Sequence, residues 1–117
     1  MNKVYYLSSC STCIRILKEV NIHNFQLQDI KFEAITEQQI DQMYQLTKSY
    51  EALFSKRAMK YKSRGLKSKK LQEEEFRSLI LEEYTFLKRP IFLVGQKIFV
   101  GNSKKTILDL KYYLAND

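Results

Sequence analysis

Apolar residues open the chain as an unbroken run in "KVYYL" (Lys3–Leu7), aromatic and β-branched, with the length of a buried strand. The period then changes. Cys13, Ile16, Leu17 and Val20 recur at i, i+3, i+4 and i+7 with Arg15, Lys18 and Glu19 off that face, which predicts an amphipathic helix. "FQLQDI" (Phe25–Ile30) sets Phe25, Leu27 and Asp29 against Gln26, Gln28 and Ile30, an imperfect period of two that predicts a second strand. At Thr36, "TEQQ" forms a capping box with Gln39, flanked by Ile35 and Ile40 at hydrophobic-staple spacing. Ile40, Met43, Tyr44 and Thr47 follow as the inner face of a helix. "QEEEFRSLILEEYTFL" predicts another, with three glutamates suited to the dipole at its start and an apolar face of Phe76, Leu79, Ile80 and Leu87. "PIFLV", Gly95-Gln96 and "KIFVG" read as two strands in a tight hairpin. Asn102 or Ser103 can cap a last helix with Ile107, Leu110 and Leu114 inward. The order is β-α-β, a helical block over 34–88, then β-β-α, an α/β domain spanning 1–117.

A chain of 117 residues suffices for one domain with a real core. Its 44% hydrophobic and 28% charged residues match soluble globular proteins, and no apolar run nears the roughly 18 residues of a membrane span. The N-terminus shows no secretory pattern, so the expected compartment is the cytoplasm, where thiols stay reduced.

The chain's two cysteines, Cys10 and Cys13, stand as Cys-x-x-Cys in "LSSCSTC". Two such thiols can close a disulfide, bind metal, or fill a core. Strand, Cys-x-x-Cys, helix, strand is the context of a thioredoxin-like redox motif. Cys10 falls where the strand gives way to the helix, near unpaired N–H groups and the positive dipole end, which favours a thiolate. Cys13 lies one turn on, within disulfide reach and deeper. Cys10 is therefore the candidate nucleophile and Cys13 the candidate resolving thiol of a reversible disulfide. Structural zinc wants four ligands, and the chain offers one histidine, His23, and no second cysteine pair, so no metal is expected. His23 reads as a surface residue of the loop after the first helix.

Pro90 is the only proline and directly precedes the third strand. It is either an edge device or, in a fold with Cys-x-x-Cys after the first strand, a cis-proline facing the thiols. The net charge of +7 is concentrated in residues 56–70, which carry Lys56, Arg57, Lys60, Lys62, Arg64, Lys67, Lys69 and Lys70 with no acid among them. Such a cluster attracts oxyanions, acidic protein surfaces or nucleic acid, or is a solvated face. Only Tyr61 interleaves it and no nucleic-acid-binding signature accompanies it, which argues against direct nucleic-acid contact.

"YYLSSCSTC", "YEALFSKRAMKYKSRGL" and "FLKRPIFLVGQKIFVGNS", in that order, resemble the arsenate reductase (ArsC)/Spx family of thioredoxin-like proteins over essentially the whole chain. The resemblance implies a thioredoxin-like fold with a helical insertion between the second and third strands. It implies a Cys10 thiolate as nucleophile and Arg89, just before a cis-Pro90, as the group that stabilises an oxyanion or thiolate. Arg57, within "SKR", is the equivalent of a further basic group, so Arg57 and Pro90 are the expected substrate contacts. No bound cofactor is implied. Glutathione enters as a co-substrate, and glutaredoxin or thioredoxin as reductant. Two classes follow. One is a thiol-dependent oxidoreductase of ArsC type acting on a small oxyanion or thiol substrate. The other is an Spx-like redox-sensing transcriptional regulator that contacts RNA polymerase through protein surfaces. Ser55 stands where the dedicated reductases resemble one another in an arginine, and Val100 where they have a third. The chain ends at Asp117 without the longer tail of Spx-type regulators, which turns the expectation towards the enzyme; a monomer is the default expectation.

Overall fold

The computed structural model describes residues 2–116. In chain order these form β1 (Asn2–Tyr6), α1 (Ser11–Glu19), β2 (Phe25–Asp29), α2 (Glu37–Thr47), α3 (Met59–Ser63), α4 (Glu73–Glu82), β3 (Ile91–Val94), β4 (Lys97–Val100) and α5 (Lys104–Asn116). Short 3-10 turns lie at Glu51–Leu53, Leu66–Ser68 and Tyr84–Phe86. The chain divides into two compact units. One comprises the residues up to Glu33 together with those from Arg89 onward, and the other is Ala34–Lys88. Among the described residues no helix is long and apolar enough to cross a membrane.

The first unit carries a four-stranded sheet of order β2-β1-β3-β4, the thioredoxin-like arrangement expected from the sequence. β1 runs parallel to β2, with Val4 opposite Leu27, and antiparallel to β3, with Val4 opposite Phe92. The β1-to-β2 link is the parallel crossover that requires an intervening helix, and α1 supplies it. β3 is buried at all four positions, as a strand with a neighbour on each side should be. Gly95 turns the chain into β4 at φ +60 while Gln96 keeps a negative φ, the sign pattern of a type II′ hairpin. Val4, Ile16, Val20, Phe92, Val94, Ile107 and Leu110 form one core, with Leu17, Phe99 and Leu114 against it. The predicted inner faces of α1 and α5 thus meet one face of the sheet. The Ser103 hydroxyl accepts the Thr106 N–H at 3.1 Å, which identifies the cap of α5. On the edge strand β2, Gln28 and Ile30 are buried and Leu27 is half exposed. The Gln28 side-chain amide donates to the Glu33 carbonyl at 3.0 Å, which satisfies a buried polar group.

The second unit is organised by helix ends and an aromatic cluster. Thr36 and Gln39 form the predicted capping box, with bonds of 3.0 and 3.1 Å. Glu73 in the first turn of α4 accepts the Tyr50 N–H at 2.6 Å and the Glu51 N–H at 3.3 Å, and so caps a 3-10 turn on another segment. Arg77 of α4 pairs with Asp41 and Glu37 of α2. The hydrogen bonds to Asp41 from Arg77 and Tyr50 hold its carboxyl at about 2. Phe54 meets Phe76 and Phe86 at 5.0 Å between ring centroids and Tyr61 at 5.7 Å.

One predicted helix is shorter than its pattern. α4 ends at Glu82 because Glu83 turns extended, at φ −140, and its carboxylate takes the Thr85 N–H. Leu87 therefore leaves the expected helical face and forms a backbone bridge with Phe54. Thr47, at the end of α2, is half buried, and its hydroxyl donates to the Ser49 carbonyl at 3.0 Å. Lys48, after α2, adopts φ +58, a conformation that favours glycine. Lys48→Gly is expected to stabilise the fold by about 0.5–1 kcal/mol, the relief of αL strain less the entropy of the added glycine. A higher urea midpoint measures this; an unchanged or lower one contradicts it.

Candidate active site

β1 delivers the chain to a turn in which the Cys10 N–H donates to the Leu7 carbonyl at 3.0 Å. Cys10 then caps α1 with extended backbone, φ −98 and ψ 110. The antiparallel register of β1 with β3 places Tyr5 opposite Ile91. Continuing that register sets residue 90 level with Tyr6, the last residue of β1, and residue 89 just beyond it, at the end of the sheet where the Cys10 turn begins. The Arg89–Pro90 peptide bond is cis, Pro90 is buried, and its carbonyl accepts the Gly101 N–H at 2.9 Å. Arg89 is half buried.

Both cysteines are free thiols, Cys10 half buried and Cys13 buried. Their ionisation is pushed in opposite directions. Burial raises the Cys10 thiol, but the Cys13 N–H, the Cys13 thiol, the Arg89 charge and the Thr12 N–H together outweigh it and lower its pKa. Cys13 is pushed up to about 12, first by burial and then by the charge and hydrogen bond of Cys10, against the Leu7 N–H and the Arg89 charge. Cys10 makes no conventional capping hydrogen bond, so these N–H groups act on its sulfur mainly through the local field of the helix N-terminus. Of the two thiols Cys10 is therefore the first to ionise, and Cys13 is the one that keeps its proton. A poised thiolate, a protonated neighbour one turn away and a guanidinium charge are a set for nucleophilic attack followed by disulfide closure.

Of the sequence-predicted residues, Cys10, Cys13, Arg89 and Pro90 gather at this end of the first unit. Arg57 belongs to the second unit, exposed in the turn before α3. Val100 is a β4 residue opposite Ile91. His23 is exposed in the loop after α1. Among the described residues no group of three or more His, Cys, Asp or Glu could hold a metal ion. Sequence reasoning missed the Leu7 N–H acting on Cys13. Being a main-chain group, it leaves no trace in residue identity.

The basic cluster of 56–70 is in part neutralised from elsewhere in the same unit. Lys56 pairs with Glu51 at 2.6 Å, Lys60 with Glu83 at 2.6 Å, and Arg64 with Glu82 at 3.0 Å.

No curated protein matches the chain. Solved structures do. An ArsC family related protein from Bacteroides fragilis is 23% identical with a TM-score of 0.77, over 94% of this chain and 97% of that one. The arsenate reductase from Vibrio cholerae is 17% identical with a TM-score of 0.75, over 92% and 95%. An arsenate reductase (ArsC) related protein from Brucella melitensis is 18% identical with a TM-score of 0.70, over 97% and 93%. These likenesses establish the thioredoxin-like ArsC fold. The sequence pattern of the ArsC family itself matches residues 5–110, nearly the whole chain, and the chain belongs to that family.

Proposed function

We propose that this protein is a cytoplasmic thiol-dependent oxidoreductase of arsenate-reductase type. Cys10 is its nucleophile, Cys13 its resolving thiol, Arg89 its anion-stabilising group, and Pro90 an accessory substrate contact. The observation that carries this reading is the placing of two free thiols one helical turn apart, Cys10 at the cap of α1 and Cys13 buried behind it.

In the first step the Cys10 thiolate attacks the oxidised centre, for example one sulfur of a mixed glutathione disulfide. The new S–S bond forms as the old one breaks, and the leaving thiolate takes up a proton. The thiolate charge on Cys10 is now gone. With it go two of the influences that raised Cys13, the like charge and the hydrogen bond to Cys10. Burial remains, opposed by the Leu7 N–H and Arg89. Cys13 becomes easier to deprotonate only after the adduct exists, so the second thiol is held back until it is needed. Its thiolate then attacks the Cys10 sulfur, closes Cys10–Cys13 and expels the bound thiolate. An external dithiol such as reduced glutaredoxin or thioredoxin returns both cysteines to thiols. With arsenate the Cys10 thiolate attacks arsenic instead. An As–S bond forms as an As–O bond breaks and water leaves, the Arg89 charge being suited to the oxyanion. Attack of Cys13 on the Cys10 sulfur then breaks As–S, closes the disulfide and releases arsenite, the two electrons coming from the dithiol.

Turnover assays with arsenate and with a mixed glutathione disulfide, each with glutathione plus glutaredoxin or with thioredoxin, test the proposal. Turnover of at least one substrate is expected. Failure of both, together with redox-dependent capture of RNA polymerase, would transfer the pair to a regulatory switch. Arg89→Ala is expected to raise the Cys10 pKa and Arg89→Lys to raise it less, because lysine keeps charge but loses the planar fork. Thiolate absorbance followed against pH measures both, and an unchanged Cys10 titration in Arg89→Ala would remove the arginine from the site.

A further inference from the structure

Two cations of the basic cluster, Arg64 and Lys69, line a hollow of about 410 Å³ together with Glu74 and Glu75 of α4. Leu66, Leu71 and Leu79 supply its apolar lining, and Leu66 and Leu79 are buried. One wall is the chain that runs from the end of α3 through the 3-10 turn Leu66–Ser68 to the start of α4. The other wall is α4 itself. Both belong to the second unit. The volume lies at the small end of the range for ligand pockets, which suits a small molecule.

The four charged groups of the rim are not equivalent. Arg64 pairs with Glu82 at 3.0 Å and lies 5.8 Å from the Phe86 ring centroid. Glu75 belongs to the capping box of α4, its carboxylate accepting the Gln72 N–H at 2.8 Å. Lys69 and Glu74 are exposed, and among the described residues neither side chain has an ion pair or a hydrogen bond. The hollow therefore offers one unspent ammonium and one unspent carboxylate beside three leucines.

We infer that this hollow is a binding site for a free α-amino acid with a branched aliphatic side chain. The two unspent groups select a zwitterion, whose carboxylate pairs with Lys69 and whose ammonium pairs with Glu74. A simple anion would gain the two cations but face both glutamates, and a simple cation would meet the reverse. The leucines select the side chain, and its burial supplies the apolar share of the affinity. A leucine inside a peptide fits less well, because its amine and carboxylate are tied up as uncharged amides. The inference does not depend on the chemistry of Cys10.

L-Leucine titrated into the 15N-labelled full chain tests it by amide chemical shifts. Saturable shifts with a Kd at or below about 10 mM are expected, centred on residues 64–71 and 74–79. Glu74→Gln and Lys69→Gln are each expected to weaken L-leucine about threefold, the scale of an exposed ion pair. N-acetyl-L-leucine lacks the ammonium and should not be weakened by Glu74→Gln. L-Leucinamide lacks the carboxylate and should not be weakened by Lys69→Gln. L-Alanine, without the larger apolar side chain, should bind about tenfold more weakly than L-leucine. Circular dichroism establishes that both variants, changed only at exposed positions, are folded. Absence of saturable shifts up to about 50 mM L-leucine, or shifts centred outside the hollow, overturns the proposal. Equal L-leucine binding by both variants and the wild type does so too. So does binding of N-acetyl-L-leucinamide as tight as that of L-leucine; the hollow would then take an apolar side chain of a peptide.

Discussion

Cys10→Ser is expected to lower turnover of any substrate the protein reduces by about a thousandfold or more. A serine hydroxyl does not ionise near neutral pH, so the local N–H groups and the Arg89 charge have no anion to stabilise. Cys13 cannot replace it, being 0% exposed and pushed up to about 12. Cys13→Ser has a different expected result. The first attack survives, somewhat weakened because the Cys13 thiol no longer helps to lower the Cys10 pKa, and the adduct on Cys10 is not resolved internally. Mass spectrometry separates the two: no adduct for Cys10→Ser, a persistent one for Cys13→Ser, and loss of two hydrogens after mild oxidation of the wild type. The pH dependence has a definite sign. A lowered pKa means that the thiolate is already present below the ordinary thiol range, so alkylation of Cys10 rises with pH and levels off early, while Cys13 stays slow. Equal alkylation rates, or a faster Cys13, would reverse the two roles.

Phe54→Ala is expected to cost about 3–5 kcal/mol, the range for deleting a buried phenylalanine. Phe54 is 1% exposed and touches three rings, those of Tyr61, Phe76 and Phe86. It also pairs through its backbone with Leu87, and the Lys88 N–H donates to the Leu53 carbonyl at 2.8 Å beside it. Truncation opens a cavity where these segments meet, and the backbone pairing limits how far they can close around it. Phe54→Leu fills more of the space and should cost less. Urea unfolding followed by far-ultraviolet circular dichroism measures both. A loss below about 1 kcal/mol for Phe54→Ala would mean that the cluster does not organise its unit.

What the sequence disclosed depended on how local the cause was. The Thr36–Gln39 box and the Cys10–Cys13 spacing are complete within four residues, and both were readable. The end of α4 was not, because Leu87 continues the apolar series of Phe76, Leu79 and Ile80 with no glycine or proline to interrupt it. What removes Leu87 is a backbone bridge to Phe54, far away in sequence. The same distance hid the sorting of the basic cluster, since Glu82 and Glu83 lie beyond its C-terminal side and Glu51 before it. "KRP" was visible as a motif, yet its meeting with Cys10 depends on β3 running antiparallel to β1. The helix start pointed to Cys10 as the thiolate and the helical period to an inward Cys13, but the complete burial of Cys13 is a property of the packed fold.

The sheet order also sets a timetable for synthesis. β1 leaves the ribosome before the other three strands, and it lies between β2 and β3. Its partner on one side arrives almost at once, but Val4 must wait for Phe92 on the other. Until then the nascent β1 has an unpaired edge, the kind of surface that recruits stray strands. The residues from Ala34 to Lys88 emerge in that interval as one continuous stretch with its own packed aromatic cluster. The thiol end of the sheet is therefore assembled only when Arg89 and β3 complete it, and the nucleophile gains its guanidinium neighbour as the open edge closes.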